Sequence, residues 1–199
     1  MEAFADEIGP VDLLCLNAGV LSTSMGPPWE ASPDEWDRVL GVNLHGVVNG
    51  LRAFVPLLLE RTRPGQILIT ASLAGALTWP GGGPYAASKH AVLAVAEQTA
   101  LELADSQITV TVLCPALVRS AMSKVGDDPL DVANLALDAV AEGRFAVLPE
   151  AWTSALGRRA HVLASGERPQ VPVSSARSTP PLRSGRPRSP SERSTRPGS

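Results

Sequence analysis

Three short apolar runs recur along the chain: VDLLCL at 11–16, QILITA at 66–71 and ITVTVLC at 108–114. Each is nearly continuous, the pattern of a parallel strand covered on both faces. Parallel neighbours need crossovers of helical length, and the intervening stretches provide them. Ser32-Pro33-Asp34-Glu35 is a capping box with proline at the first helical position. That helix should run through Trp36 and Val39 to Asn43, where a second begins. Leu44, Val47, Val48, Leu51, Val55 and Leu58 give the second a core stripe, and Gly46 and Gly50 leave bare backbone on one side of it. A helix from Pro84 to about Ala104 follows the second strand. Asp128 should cap another, with Pro129 at its start, Gly143 at its end and Leu130, Ala133, Leu137 and Val140 facing inward. Phe145 to Leu148 reads as a short fourth strand and Ala151 to Leu163 as a final helix. Residues 1–8 read as the last turns of a helix stopped by Gly9-Pro10. The alternation predicts a doubly wound α/β fold with a parallel sheet and right-handed crossovers.

One chemically pointed cluster sits on this frame. Tyr85 is the only tyrosine, and Lys89 is one of two lysines. Four residues apart on a helix, they share a face. Ser72 ends the second strand, thirteen residues before Tyr85, and its loop should face the helix start. A free phenol titrates near pH ~10, so a base working at neutral pH needs a shift of about 3 units. An ammonium ~4 Å away supplies roughly that much at an effective dielectric of ~20. Lys89 could thus turn Tyr85 into a general acid/base, with Ser72 holding a substrate oxygen.

The surrounding motifs resemble the short-chain dehydrogenase/reductase family. Leu16-Asn17-Ala18-Gly19 is similar to the family's N-N-A-G turn after the fourth strand, with Leu16 in place of the first asparagine. Asn43, in Val42-Asn43-Leu44, stands where the family keeps a catalytic asparagine. Ser72, Tyr85 and Lys89 match its serine, tyrosine and lysine in order and spacing. Pro115-Ala116-Leu117-Val118-Arg119-Ser120 resembles the P-G-x-V-x-T loop, with Ala116 for glycine and Ser120 for threonine. The resemblance runs from about Asp12 to Pro149.

That resemblance implies a Rossmann-type oxidoreductase using NAD or NADP to interconvert a small-molecule alcohol and carbonyl. Tyr85 would transfer the proton; Lys89 would lower its pKa and bond the nicotinamide ribose. Ser72 would orient the substrate oxygen, and Asn43 would hold a water linking Lys89 to solvent. Asn17, Ala18 and Gly19 would pass beneath the adenosine half. Pro115, Ala116, Val118 and Ser120 would meet the nicotinamide carboxamide, Val118 through its backbone. Trp79, in the loop before Tyr85, is a candidate lining residue of the substrate site. His45 and His90 have no metal-ligand partner at useful spacing.

A dinucleotide also needs its pyrophosphate held at a helix N-terminus by a glycine-rich turn. The family's T-G-x-x-x-G-x-G does not occur in this sequence. Relative to the family, the first three strands are therefore expected to be missing. The run at 11–16 should be an open apolar edge, and the chain a fragment, a mis-started sequence or a truncated relative. A rival reading follows: a catalytically impaired interaction module whose helices at Leu44–Arg61 and Tyr85–Ala104 pair with a full-length relative. Helices of this kind join subunits in the family, so a full-length form should be a homo-oligomer.

The 199 residues divide by charge. Residues 165–199 hold seven arginines, two acids, nine serines and seven prolines, and their net charge of +5 leaves −8 for residues 1–164. The first part should be the catalytic domain, and the second a disordered tail unable to bury enough surface to order itself. An acidic globule with a basic tail is not a nucleic-acid-binding domain. No apolar run approaches the ~18 residues of a membrane span. Glu2, Asp6 and Glu7 argue against a secretory signal, and Cys15 and Cys114 lie in apolar runs as buried free thiols. The chain reads as cytosolic.

Overall fold

The computed structural model describes residues 11–175 apart from Ser24 and Thr62. The helix expected over residues 1–8, and the tail beyond Ser175, lie outside the described residues. Four parallel strands stand in chain order: β1 (Leu13–Leu16), β2 (Gly65–Thr70), β3 (Ile108–Leu113) and β4 (Ala146–Val147). β1 forms one edge, with Leu13 to Leu16 paired in register with Gln66 to Ile69.

Among the described residues six α-helices accompany the strands: α1 (Pro33–Leu40), α2 (Gly46–Leu59), α3 (Leu73–Ala76), α4 (Gly83–Glu102), α5 (Pro129–Ala141) and α6 (Thr153–Ser165). The side-chain alternation of β2 separates two faces. Ile67 and Ile69 join Val47, Phe54 and Leu58 of α2 and Val92 and Ala96 of α4. Leu68 points the other way, with Leu113, to Val132, Ala136, Ala139 and Val140 of α5. Helices therefore cover both faces of a Rossmann-type sheet.

This arrangement corrects the expectation of uniformly right-handed crossovers. All three connections step across the sheet in the same direction, yet α5 lies on the face opposite α2 and α4. Two such crossovers must have opposite hands. With α2 and α4 on one face, α5 closes over Leu68 and Leu113 on the other.

Helices α1 and α2 are not separate. A π-helical turn, Gly41–His45, joins them into one helix over Pro33–Leu59, with Asn43 at its centre. By length and composition this helix could cross a membrane, which no single apolar run in the sequence suggested. In the fold its Val39, Val47, Ala53, Phe54 and Leu58 are buried in the protein. Gly50 brings bare backbone onto Leu16, where an added Cβ would collide with the leucine side chain. Gly46 meets nothing outside its own helix, so its lack of a side chain serves no packing contact.

Other local readings shift. Ser32 accepts from the Glu35 amide at 3.2 Å, half of the expected capping box. The Glu35 carboxylate turns instead to the Thr23 amide at 2.5 Å and to Arg38. On α5 the inward residues are Val132, Ala136, Ala139 and Val140, while Leu130, Ala133 and Leu137 are exposed. Cys15 is exposed, on the face of edge strand β1 opposite Leu14 and Leu16; Cys114 is buried. α6 extends to Ser165, and the segment after it runs back along the helix. Arg158 donates to the Val173 carbonyl at 2.7 Å, and the Ser175 amide to Ala151 at 2.9 Å.

Candidate active site

Parallel strands deliver their carboxyl ends to one side of the sheet, where α/β proteins bind ligands. β1 ends at Leu16 and hands on to Asn17-Ala18-Gly19, β2 ends at Thr70 just before Ser72, and β3 ends at Leu113 just before Pro115. The three strands are neighbours, so the motifs converge. The Leu73 amide donates to the Pro115 carbonyl at 2.8 Å, tying the last two loops together.

Ser72 is the N-cap of α3 and accepts from the Ala74 amide at 3.1 Å. That short helix lies against α4 because Gly75 has no side chain: a Cβ there would strike the Lys89 carbonyl. α4 is entered through Gly81 and Gly83, with φ of 84° and 45°, conformations that glycine adopts without strain. The Gly26 amide donates to the Gly81 carbonyl at 3.2 Å, clasping the loop after β1 to this entrance.

Lys89 is 4% exposed, and its ammonium donates to the Thr70 carbonyl at 2.9 Å. Burial lowers its pKa to about 8, with the nearby Cys114 sulfur opposing the shift. Cys114 is pushed up to about 11 by its own burial, against the Ser72 amide and the Lys89 charge. Tyr85 moves the opposite way from the sequence expectation. Burial pushes its hydroxyl above the ordinary phenol range, and a hydrogen bond with Ser72 opposes that rise. The Lys89 ammonium is turned to the Thr70 carbonyl instead.

Asn43 is fully buried. Its Oδ1 accepts from the Val20 amide at 2.7 Å, and its Nδ2 donates to the Val20 carbonyl at 3.0 Å and to Ser88 Oγ at 2.9 Å. The π turn aims this side chain across to the loop after β1. Gly19 completes the cradle: a Cβ there would sit 3.4 Å from Lys89 Nζ and 3.5 Å from Asn43 Oδ1. Asn17 and Ala18 are exposed beside it.

The loop after β3 closes on itself. Val118 bridges Asp127, and Arg119 pairs with Asp128 at 2.6 Å. Ala116 packs near Leu73 and Leu77, Val118 near the α5 cluster, and Ser120 is an exposed turn residue accepting from the Met122 amide at 3.1 Å. Trp79 packs edge-on to Trp152, ring centres 5.3 Å apart. It also lines a cavity of about 900 Å³ between the 77–80 loop, α6 and the 167–175 segment. Ser72, Tyr85 and Lys89 do not line that cavity, so it lies apart from the chemistry. His90 bonds the Ala86 carbonyl and Thr78, and among the described residues no group of side chains is arranged to hold a metal ion. Ser88, Gly75 and the Gly26–Gly81 clasp went unnoticed in the sequence; only the position of Ser88, one turn from Tyr85, gave any signal.

Against known proteins, residues 1–129 match the family model described as short chain dehydrogenase. The chain belongs to the short-chain dehydrogenase family. Over 151 residues it is 39% identical to 1-deoxy-11-beta-hydroxypentalenate dehydrogenase of Streptomyces exfoliatus, covering 70% of this chain and 55% of that protein. Dehydrogenase/reductase SDR family member 4 of Bos taurus is 38% identical over 122 residues, 61% of this chain and 43% of its own length. The chain thus spans about half the length of these curated relatives. Among solved structures, a short chain dehydrogenase/reductase from Burkholderia phymatum in complex with NAD superposes with a TM-score of 0.77 at 30% identity. That match covers 87% of this chain and 75% of the other. A short-chain dehydrogenase structure from Novosphingobium aromaticivorans gives 0.74 at 35% identity, covering 86% and 64%.

Proposed function

We propose that this chain carries the catalytic part of an NAD(P)-dependent oxidoreductase that interconverts an alcohol and a carbonyl. The observation supporting it is the meeting of Gly19, Asn43, Ser72, Tyr85 and Lys89 at the carboxyl ends of adjacent parallel strands. The nicotinamide end of the cofactor fits the residues present. Lys89 Nζ has three protons and bonds one carbonyl, leaving donors for ribose hydroxyls beside the bare backbone of Gly19. The pyrophosphate end has no matching glycine-rich turn in this sequence.

A bound nicotinamide supplies the hydride donor or acceptor. The chain's own residues handle the oxygen and its proton. Ser72 orients the substrate oxygen, and Tyr85, kept protonated by burial, donates its proton to the oxygen of a carbonyl undergoing reduction. In oxidation the same proton returns to Tyr85. Lys89 holds the ribose and lends positive charge. Both Asn43 Nδ2 protons are engaged, with Val20 and Ser88, so Asn43 could meet a water linking Lys89 to solvent only as an acceptor. The loop from Pro115 to Ser120 would hold the carboxamide end of the cofactor, and Asn17 to Gly19 the adenosine half. The catalytic unit ends with α6, and the Ser-, Pro- and Arg-rich stretch takes no part in chemistry. The setting is cytosolic, and the enzyme assembles as a homo-oligomer.

A second reading is the interaction module, favoured by Leu59 on α2 and Leu101 on α4, 52% and 77% exposed. Titrating the chain with NADH and NADPH, followed by cofactor fluorescence, separates the two. Saturable binding below about 1 mM that weakens at least about tenfold in Lys89→Ala supports the enzyme. Binding that is absent, or indifferent to Lys89, overturns it.

A further inference from the structure

We propose that Ser88 is a positioning residue for Tyr85, holding the first turn of α4 to Asn43 and, through Asn43, to the loop after β1. The inference rests on the reading of Tyr85 as the proton-transfer group. Ser88 is fully buried, and its hydroxyl is used in both senses. It accepts from Asn43 Nδ2 at 2.9 Å and donates to the Tyr85 backbone carbonyl at 2.7 Å.

A serine bonding back to a carbonyl of its own helix is commonplace and by itself means little. The bond to Asn43 is different, because it joins residues 45 apart in sequence and lies wholly out of water. Asn43 in turn grips both the amide and the carbonyl of Val20, directly after the Gly19 cradle. Two side chains thus fix the geometry among three segments: the loop after β1, the π turn and the start of α4.

The start of α4 needs such an anchor. Its N-cap, Gly82, makes no side-chain capping bond, and Gly81 and Gly83 on either side are in left-handed conformations. Between Gly81 and Tyr85 only Pro84 stiffens the backbone. Alanine would be the better helix former at 88 and would fill nearly the same space, but it would leave an Asn43 donor without its partner in a dry site. The Tyr85 carbonyl would lose the same hydroxyl. Tyr85 would then no longer be held in place toward Ser72.

Tyr85 is the only tyrosine in the chain, so phenolate absorbance reports this residue alone and needs neither cofactor nor turnover. The test titrates the full chain, with circular dichroism monitoring the fold, as wild type, Ser88→Ala, Ser88→Thr, Asn43→Ala and Val92→Ala. Ser88→Ala should move the phenolate midpoint by about half a pH unit or more, as the burial of Tyr85 and its contact with Ser72 both change. Asn43→Ala should move it the same way, and the double variant no further. Ser88→Thr, which restores the hydroxyl, and Val92→Ala, a core truncation on the same helix, should titrate with the wild type. Ser88→Cys replaces Ser88→Ala should the latter not fold. A Ser88→Ala chain that is folded and titrates with the wild type overturns the proposal, as does an equal shift in Val92→Ala. The expected shifts in a chain that binds no dinucleotide would overturn the function and leave the positioning of Tyr85 standing.

Discussion

Lys89 donates its ammonium proton to the carbonyl of Thr70, the last residue of β2, 2.9 Å away. Strand end and helix face are thus locked together beneath the site, and a charge is buried there at 4% exposure. The consequence is a pH-dependent stability. The folded pKa, about 8, lies below the ordinary 10.5, so the unfolded chain holds the proton more tightly. This residue's contribution is most favourable above pH 10.5 and is lost as pH falls toward 8. Lys89→Met should be more stable than wild type at pH 7 by a few kcal/mol, with the gap closing between pH 8 and 10.5. Urea unfolding of both chains across that range checks it; a gap independent of pH would refute it.

Glu35 gives a dependence of the same sign at the acid end. Arg38 and the Thr23 amide hold its carboxyl at about 2 against an ordinary 4.5. Its support is complete above pH 4.5 and is lost as pH falls toward 2. Glu35→Gln should therefore lower the melting temperature at pH 7 and leave it nearly unchanged at pH 2. Calorimetry at the two pH values decides.

Gly75 and Gly46 make a matched pair. A Cβ at 75 meets the Lys89 backbone, which cannot yield, whereas one at 46 meets only a carbonyl of its own helix at 4.0 Å. Gly75→Ala should destabilise by about 1–3 kcal/mol and weaken cofactor binding as Ser72 is pushed off α4. Gly46→Ala should stabilise by up to about 1 kcal/mol. Equal effects in the two variants would show that the α3–α4 contact is not close.

The strands and the order of Asn17, Asn43, Ser72, Tyr85 and Lys89 were legible because apolar runs and motif spacing are properties of the chain itself. Side-chain direction was not. On α5 both Leu130-Ala133-Leu137 and Val132-Ala136-Ala139 lie at helical spacing, and only the approach of the sheet chose the smaller set. Leu68 and Leu113 come close to the helix where the alanines leave room. Lys89 and Tyr85 share a face as expected, but the pull on Lys89 comes from a strand-end carbonyl nineteen residues earlier, which spacing cannot reveal. The π turn at Asn43 leaves no signature in composition, since it arises from the tertiary grip of that side chain on Val20. Cys15 was misjudged because an apolar run does not say which of its sides remains uncovered.

Lys89 also sets an activity limit. Carbonyl reduction should decline above about pH 8 as the lysine loses its charge. Alcohol oxidation should keep rising, because Tyr85 must be deprotonated and its pKa is raised. Rates in both directions from pH 6 to 10 test this, and parallel profiles would refute it.

The most direct measurement compares wild type with Tyr85→Phe for carbonyl-dependent oxidation of NADH or NADPH, with dinucleotide binding measured alongside. Removal of the acid/base should lower turnover by about 10²–10⁴-fold and leave cofactor affinity nearly unchanged. A Tyr85→Phe chain that keeps more than half of the wild-type rate would contradict the assignment.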